Sequence, residues 1–436
     1  MALGATAGDG AAGAGASCEW LQAATESNAT RVLMTRGRDM AIGLAEMVPN
    51  AEPAADISLA PNKTGGARLA ALDWMRGIVM LLMAVDHSSG EFNAGRLITD
   101  SAMFYKPHTP LPLLQFMTRW ITHLCAPTFV FLAGASLALS LGRRVERGES
   151  AAAIDRHLLT RGVIIVALEI VPSYFWMPHG KFLFQVLYAI GTAYLFMIPL
   201  RRLPVSVLIA IAASVLVFGE AVIGLAGWGP PDKTPLLATL LLAAGPRGPV
   251  IVAYPTLPWL AIMLLGWGFG HALRRRPPAD RLRPREFASW GIALIAIFLA
   301  VRGANSYGNM KLLREDGSLV QWLHVSKYPP SLTFVALELG IMALLLALLA
   351  MRARAAHKAA HLSNNPLIVF GQTPMFFYLL HIPLLALLAY ELGLEHKLGP
   401  GSAYGFAALA ALLLFPLCIW YRRYKAAHPT GLVRYF

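Results

Sequence analysis

Apolar segments, most of them close to twenty residues long, recur along this 436-residue chain near 69–87, 113–141, 158–177, 182–200, 203–224, 251–272, 287–303, 331–351, 366–392 and 403–421. A helix rises about 1.5 Å per residue and a bilayer's hydrocarbon core is about 30 Å thick, so each segment suits a single crossing. With 56% hydrophobic and only 14% charged residues, the chain lacks the polar surface that a soluble shell around such segments requires. The pattern predicts an all-α polytopic membrane bundle of about ten transmembrane helices.

The loops between segments alternate in charge. Arg143, Arg144, Arg147 and Arg156 follow the second segment, and Arg201 with Arg202 follow the fourth. Arg274, Arg275, Arg276, Arg281, Arg283 and Arg285 follow the sixth, Arg352, Arg354 and Lys358 the eighth, and Arg422, Arg423 and Lys425 the tenth. The intervening loops carry acids such as Glu91, Asp100, Asp232, Glu315 and Asp316. Positive loops stay on the cytoplasmic side, so the alternation predicts both termini in the cytoplasm. Topology thus explains the net charge of +13, and no nucleic-acid partner is expected. Three cysteines, Cys18, Cys125 and Cys418, give neither a disulfide framework nor metal-ligand spacing, and no metal is expected. Residues 1–66, rich in Ala and Gly, read as a disordered or mis-annotated extension; 67–425 form the membrane domain, and 426–436 a cytoplasmic tail.

Ionisable residues inside such segments are costly, so they mark candidate function. In Arg68–His87 an apolar middle, Ile78–Val85, is flanked by Asp73 and Arg76 before it and by Asp86 and His87 after it. Position 87 lies eleven residues beyond 76, and eleven steps of about 100° return to within about 20° of the start. Arg76, Met80, Met83 and His87 therefore share one stripe, with Asp73 at its edge, and that stripe must face protein or a water-filled cleft. Asp73 and Arg76, three apart, pair with each other or receive an anionic cofactor. Arg119 and His123 are four apart on one helical face, at the depth of His87. Arg119 alternatively anchors a helix end, and His108 in the preceding loop is within reach of the same site. Glu169, in the third segment, and Glu338, in the eighth, call for partners such as Arg161 or Arg76. His381 follows Tyr378 by three on the ninth. The long acidic-side loops, including 304–330 with its Lys327-Tyr328-Pro329-Pro330-Ser331 end, are either solvated connectors or the walls of a substrate vestibule. Gly266-Trp267-Gly268-Phe269-Gly270 reads as close helix packing. No phosphate-binding glycine loop, zinc helix or nucleophile elbow occurs.

Leu72-Asp73-Trp74-Met75-Arg76-Gly77, with Met83 and Asp86-His87, resembles the opening of the heparan-alpha-glucosaminide N-acetyltransferase catalytic-domain family, in its bacterial branch. Four further blocks fit in order: His123 to Gly134, Tyr254-Pro255-Thr256-Leu257-Pro258-Trp259, Lys327-Tyr328-Pro329-Pro330-Ser331-Leu332, and the block ending in His381. The resemblance spans about residues 67–425. It implies a helical bundle of the membrane acyltransferase superfamily that uses acetyl-CoA, as the characterised eukaryotic relative does in moving acetyl across the membrane to a terminal glucosamine. A histidine is central to that chemistry and lies in the region between the first and second segments, nearest to His108 here. His87 falls where the relative has an asparagine, and His123 where it has an aspartate.

Together these readings give a membrane-embedded acyltransferase taking acetyl from cytoplasmic acetyl-CoA to an amino or hydroxyl group of an envelope glycan or glycolipid. His87 is the first choice of base or acyl acceptor, oriented by Asp86 or by a carboxylate of a neighbouring helix, with His123 and His108 as alternatives. Arg76 and Asp73 would meet the CoA phosphates. Arg119, Glu169, Lys327, Tyr328 and His381 would support substrate or structure. The lipid bilayer is a partner, and a homo-oligomer is compatible with the reading. The opposing class is a transporter or flippase for an envelope precursor, in which buried His, Arg and Glu relay protons; no motif pair relates the two halves as a repeated transporter would require.

Overall fold

The computed structural model describes residues 70–177, 181–229, 232–277, 281–355 and 365–428. The extension assigned to 1–66 and nearly all of the tail assigned to 426–436 lie outside the described residues. Every apolar segment has a helical counterpart. Helix α1 (Ala70–Phe92) leads into α2 (Leu113–Trp120) and α3 (Cys125–Glu146), then α4 (Ala151–Ala167) and α5 (Ile170–Trp176). After strand β1 (Phe182–Phe184) come α6 (Val186–Leu200) and α7 (Val205–Leu225), then β2 (Gly245–Arg247) and β3 (Val250–Val252). The chain continues through α8 (Thr256–Arg275), α9 (Pro284–Ala304), the short α10 (Leu319–Leu323) and α11 (Leu332–Ala355). It finishes with α12 (Pro366–Gln372), α13 (Pro374–Glu391) and α14 (Gly401–Ala427).

Among the described residues, 8 helices or joined helices are long and apolar enough to cross a membrane. Helix α1 has the length but carries ionisable residues, and α6 is a shorter apolar helix. The chain is an all-α polytopic membrane protein. Its outer faces agree: Trp290, Ile292 and Leu299 on α9, Phe218 on α7, and Leu412 and Trp420 on α14 are all exposed. An apolar surface of that extent suits lipid and not water.

Three expected spans are not continuous helices, and proline explains each break. A proline has no N–H for the carbonyl four residues earlier and its ring crowds that carbonyl. Pro127 does this to His123, and the chain tightens into a 3-10 turn over Ile121–Leu124 between α2 and α3. Pro172 does it to Leu168, where α4 ends before α5 begins. Pro374 also restricts the residue before it, and Thr373, at φ −123° and ψ 39°, separates α12 from α13. Arg119 and His123 therefore do not share one uninterrupted helix. The segments expected to begin at 182 and 251 open instead as strands: β1 pairs in parallel with β3, and β2 pairs antiparallel with β3. Their Phe-Leu-Phe and Val-Ile-Val sequences favour a pleated, half-buried surface.

Helix α1 is the central element, in contact with α3, α11, α12, α13 and α14. Two glycines bring α12 against it. A Cβ on Gly77 would meet the Leu367 carbonyl, and one on Gly371 would meet the Asp73 carbonyl. The Gly266 segment packs as expected, with Gly266 against the Phe131 carbonyl and Gly134 against that of Met263, so that α3 and α8 cross in backbone contact.

Candidate active site

A cavity of about 470 Å³ follows the polar stripe of α1. Asp73, Arg76, Met83, His87, Gly90 and Glu91 all line it, so the cavity runs along nearly the whole helix. From Arg76 to His87 the helical rise gives about 16 Å.

At the Asp73 end, Arg76 Nη1 donates to Asp73 Oδ1 at 2.8 Å and Nη2 donates to Ser136 Oγ at 2.5 Å. Gln372 Nε2, carried to this end by the α12–α1 contact, donates to Asp73 Oδ2 at 3.3 Å. Arg161 sits over the Tyr194 ring, 5.2 Å from its centroid, and Tyr421 with Lys425 adds the last turns of α14 to the wall. The expected Asp73–Arg76 pair thus forms, inside a polar pocket that Ser136, Arg161, Gln372 and Lys425 complete.

One helical turn short of Glu91, towards the far end, stands His87. Its Nδ1 lies 2.7 Å from Nε2 of His381, and the two rings lie edge to edge with centroids 4.9 Å apart and planes 16° from parallel. Trp176 meets His87 edge-on at 4.7 Å and itself donates to Glu91 Oε1 at 3.0 Å. The partner of His87 is therefore not Asp86. Successive helical residues point about 100° apart, and Asp86 turns instead to arginine: Arg119 Nη1 reaches its Oδ1 at 2.5 Å and Arg96 Nη2 at 3.2 Å.

Arg119 is buried and bridges two carboxylates, since its Nη2 also lies 2.5 Å from Asp100 Oδ2. His123 Nε2 reaches that same Asp100 oxygen at 3.2 Å. Arg119 additionally donates to the Tyr328 hydroxyl at 3.3 Å, and the Lys327 amide donates to the Asp100 carbonyl at 2.8 Å. Asp100 lies in the loop after α1. Its burial works against ionisation, yet Arg119 and His123 beside it hold the carboxyl well below the usual carboxylate range. Asp86, Arg96, Tyr254, Lys327 and Tyr328 all line the cavity.

The sequence-predicted residues divide accordingly. Asp73, Arg76, Asp86, His87, Lys327 and Tyr328 reach the cavity wall, and His381 stands directly behind His87. His123 is buried against Phe334 and Asp100 and does not line the cavity. His108 is farther off: its side chain is 89% exposed and pairs with Glu315 at 3.5 Å. Glu169, at the break between α4 and α5, accepts the Tyr188 amide at 2.5 Å, so a backbone donor holds it and not Arg161 or Arg76. Glu338 is buried with no hydrogen-bond partner for its Oε1 among the described residues.

Arg96, Trp176 and Arg302 escaped the sequence reading. Arg96 sits in a loop that charge alone marks as solvated. Arg302, fully buried in the last turn of α9, donates to Asn309 Oδ1 and to the carbonyls of Leu312, Gln321, Trp322 and His324. It thereby ties down the loop that delivers Lys327 and Tyr328. An arginine inside a span is the signal that could have found it.

The central helix of this membrane protein thus carries a histidine and charged groups along one cavity. Residues 68–307 match the family described as heparan-alpha-glucosaminide N-acetyltransferase, catalytic, and the chain belongs to that family. It is a membrane protein of an acetyltransferase family. The matched region holds Asp73, Arg76, Asp86, His87, Arg119 and His123, while Lys327, Tyr328 and His381 lie beyond it. No curated protein matches the chain.

Proposed function

We propose that the protein transfers an acetyl group from acetyl-CoA, bound at the Arg76 end of the cavity, to an amino or hydroxyl group of an envelope glycan or glycolipid entering at the Glu91 end. The observation that carries this reading is one cavity with Arg76, Arg161 and Lys425 at one end, His87 along it, and Glu91, Trp176, Arg96 and Lys327 towards the other. The basic loops support a cytoplasmic side for the Arg76 end. Both termini then lie in the cytoplasm, with the protein in a bacterial inner membrane.

The chemistry needs one proton acceptor. The acceptor's nitrogen or oxygen attacks the thioester carbonyl carbon, and an imidazole nitrogen of His87 takes the proton that it loses. The carbon–sulfur bond breaks, and the same proton goes to the departing thiolate, giving the acetylated acceptor and free CoA. In the alternative route that nitrogen itself attacks the carbonyl carbon as the carbon–sulfur bond breaks and the thiolate leaves; the acceptor's nitrogen or oxygen then takes the acetyl group from it, and the acceptor's proton goes to the thiolate. Both routes use one nitrogen. Arg76, held by Asp73 and Ser136, offers a fixed cation to the CoA phosphates.

The same row of ionisable groups along a cavity that follows α1 is also what a proton-coupled transporter needs. Purified full-length protein in nanodiscs, given labelled acetyl-CoA and a panel of amino sugars, separates the two. Saturable CoA binding with label transferred to an acceptor supports the enzyme. Absence of CoA binding, together with substrate-driven proton flux in vesicles, overturns it.

A further inference from the structure

His381 has no carboxylate or cation among its hydrogen-bond partners, is fully buried, and touches no wall of the cavity. It lies one turn into α13 beyond Phe377, and its Nδ1 is 2.9 Å from the Phe377 carbonyl oxygen. A carbonyl can only accept, so His381 Nδ1 carries a proton. In a neutral imidazole the other nitrogen is then bare. His381 Nε2 must therefore accept, and its one hydrogen-bonding neighbour is His87 Nδ1 at 2.7 Å. His87 Nδ1 is in turn the donor, which leaves the lone pair of His87 Nε2 without a hydrogen-bond partner among the described residues. Aromatic rings restrain both imidazoles in this arrangement. Phe377 stacks on His381 at 5.1 Å, and Trp176 and Tyr378 meet His87 edge-on at 4.7 and 6.2 Å.

We propose that His381 is a positioning residue that selects the tautomer of His87: the chain Phe377 carbonyl, His381, His87 keeps the His87 proton on Nδ1 and the reactive lone pair on Nε2. This rests on the acyltransferase reading, in which an imidazole nitrogen of His87 takes the acceptor's proton or the acetyl group. The choice matters because the two nitrogens of an unrestrained imidazole exchange roles, and a histidine protonated on the wrong nitrogen is not a base toward the substrate. A histidine can do this where Asp86 cannot, since Asp86 is committed to Arg96 and Arg119. A neutral His381 also adds no charge beside His87.

The test uses the full-length protein in nanodiscs with ¹⁵N-labelled histidine, the His87 signals being those lost in His87→Gln. Solid-state ¹⁵N spectra should show His87 protonated at Nδ1 and bare at Nε2 in the wild type. His381→Phe removes the acceptor and should give a mixture of tautomers. His381→Gln, whose amide oxygen accepts from Nδ1, should restore the wild-type pattern. In turnover, His381→Phe should lower kcat about 10–100-fold, the range seen when the partner that orients a functional histidine is removed. KM for acetyl-CoA should hold within about twofold, and His381→Gln should recover most of kcat. A wild-type His87 protonated at Nε2, or a tautomer unchanged in His381→Phe, overturns the proposal. A wild type with no acetyl transfer overturns the acyltransferase reading instead, while the spectra still decide the tautomer.

Discussion

Asp86, Asp100 and Arg119 hold one another in place beside the cavity, and their cost if broken is large. Removing one member of a buried ion pair strands the other and typically costs about 3–5 kcal/mol. Arg119→Met, which strands both Asp86 and Asp100, should therefore lower the thermal transition in detergent by several degrees, and a transition within 1 °C of wild type would contradict the bridging role. Asp100 also sets a pH dependence. Its folded-state pKa lies below the unfolded value, so its contribution is fully present above the unfolded pKa of about 3.9. The contribution is lost only as pH falls toward the folded value. The stability gap between wild type and Asp100→Asn should accordingly stay constant from pH 7 to 5 and shrink below about pH 4, as read by thermal melts across that range. The individual ionisable residues were legible because an apolar span makes each of them conspicuous. Their partners were not: Asp100 and Arg96 sit in a loop that composition marks as solvated, and the pairing of His87 with His381 joins positions 294 residues apart. Local periodicity says which residues share a stripe and nothing about which distant stripe faces it.

The helices position these groups through breaks and close approaches. Pro127, Pro172 and Pro374 interrupt three spans, and the broken turns carry His123, Glu169 and Thr373 beside Gln372. The spans themselves were readable from length and hydrophobicity. The breaks were readable in principle, since each proline is visible, but a proline within a span predicts a disturbance without its direction. The strands β1 and β3 were hidden because short apolar runs suit strand and helix alike. The glycine contacts between α1 and α12 make a sharper prediction. Gly371→Leu would force side-chain atoms into the Asp73 backbone, where no flexible end can yield. It should cost about 1–3 kcal/mol as overpacking, and by moving Gln372 off Asp73 it should raise KM for acetyl-CoA more than it lowers kcat. Equal loss in both parameters would remove α12 from the cofactor end.

Across the molecule, the proposed reading gives the two substrates different ends of the cavity. Cysteines placed at Gln372 and at Glu395, which lines the cavity near Glu91, each in a background without Cys18, Cys125 and Cys418, should react with membrane-impermeant maleimide from opposite sides of intact vesicles, Gln372→Cys from the side that bears the termini. Labelling of both from one side would contradict the assigned sidedness. The charge alternation of the loops is what predicts that topology from the chain, because every second loop is basic whatever the helices do in three dimensions. Which residues of those loops fold back to line the cavity, as Lys327 and Tyr328 do under the hold of Arg302, was beyond reach of the same pattern. The most direct measurement supplies labelled acetyl-CoA on the terminus-bearing side of proteoliposomes and the acceptor on the other, with wild type and His87→Gln compared. The account predicts label on the far-side acceptor for wild type, and for His87→Gln unchanged acetyl-CoA binding with turnover reduced about 10²–10⁴-fold. Full turnover by His87→Gln would contradict it.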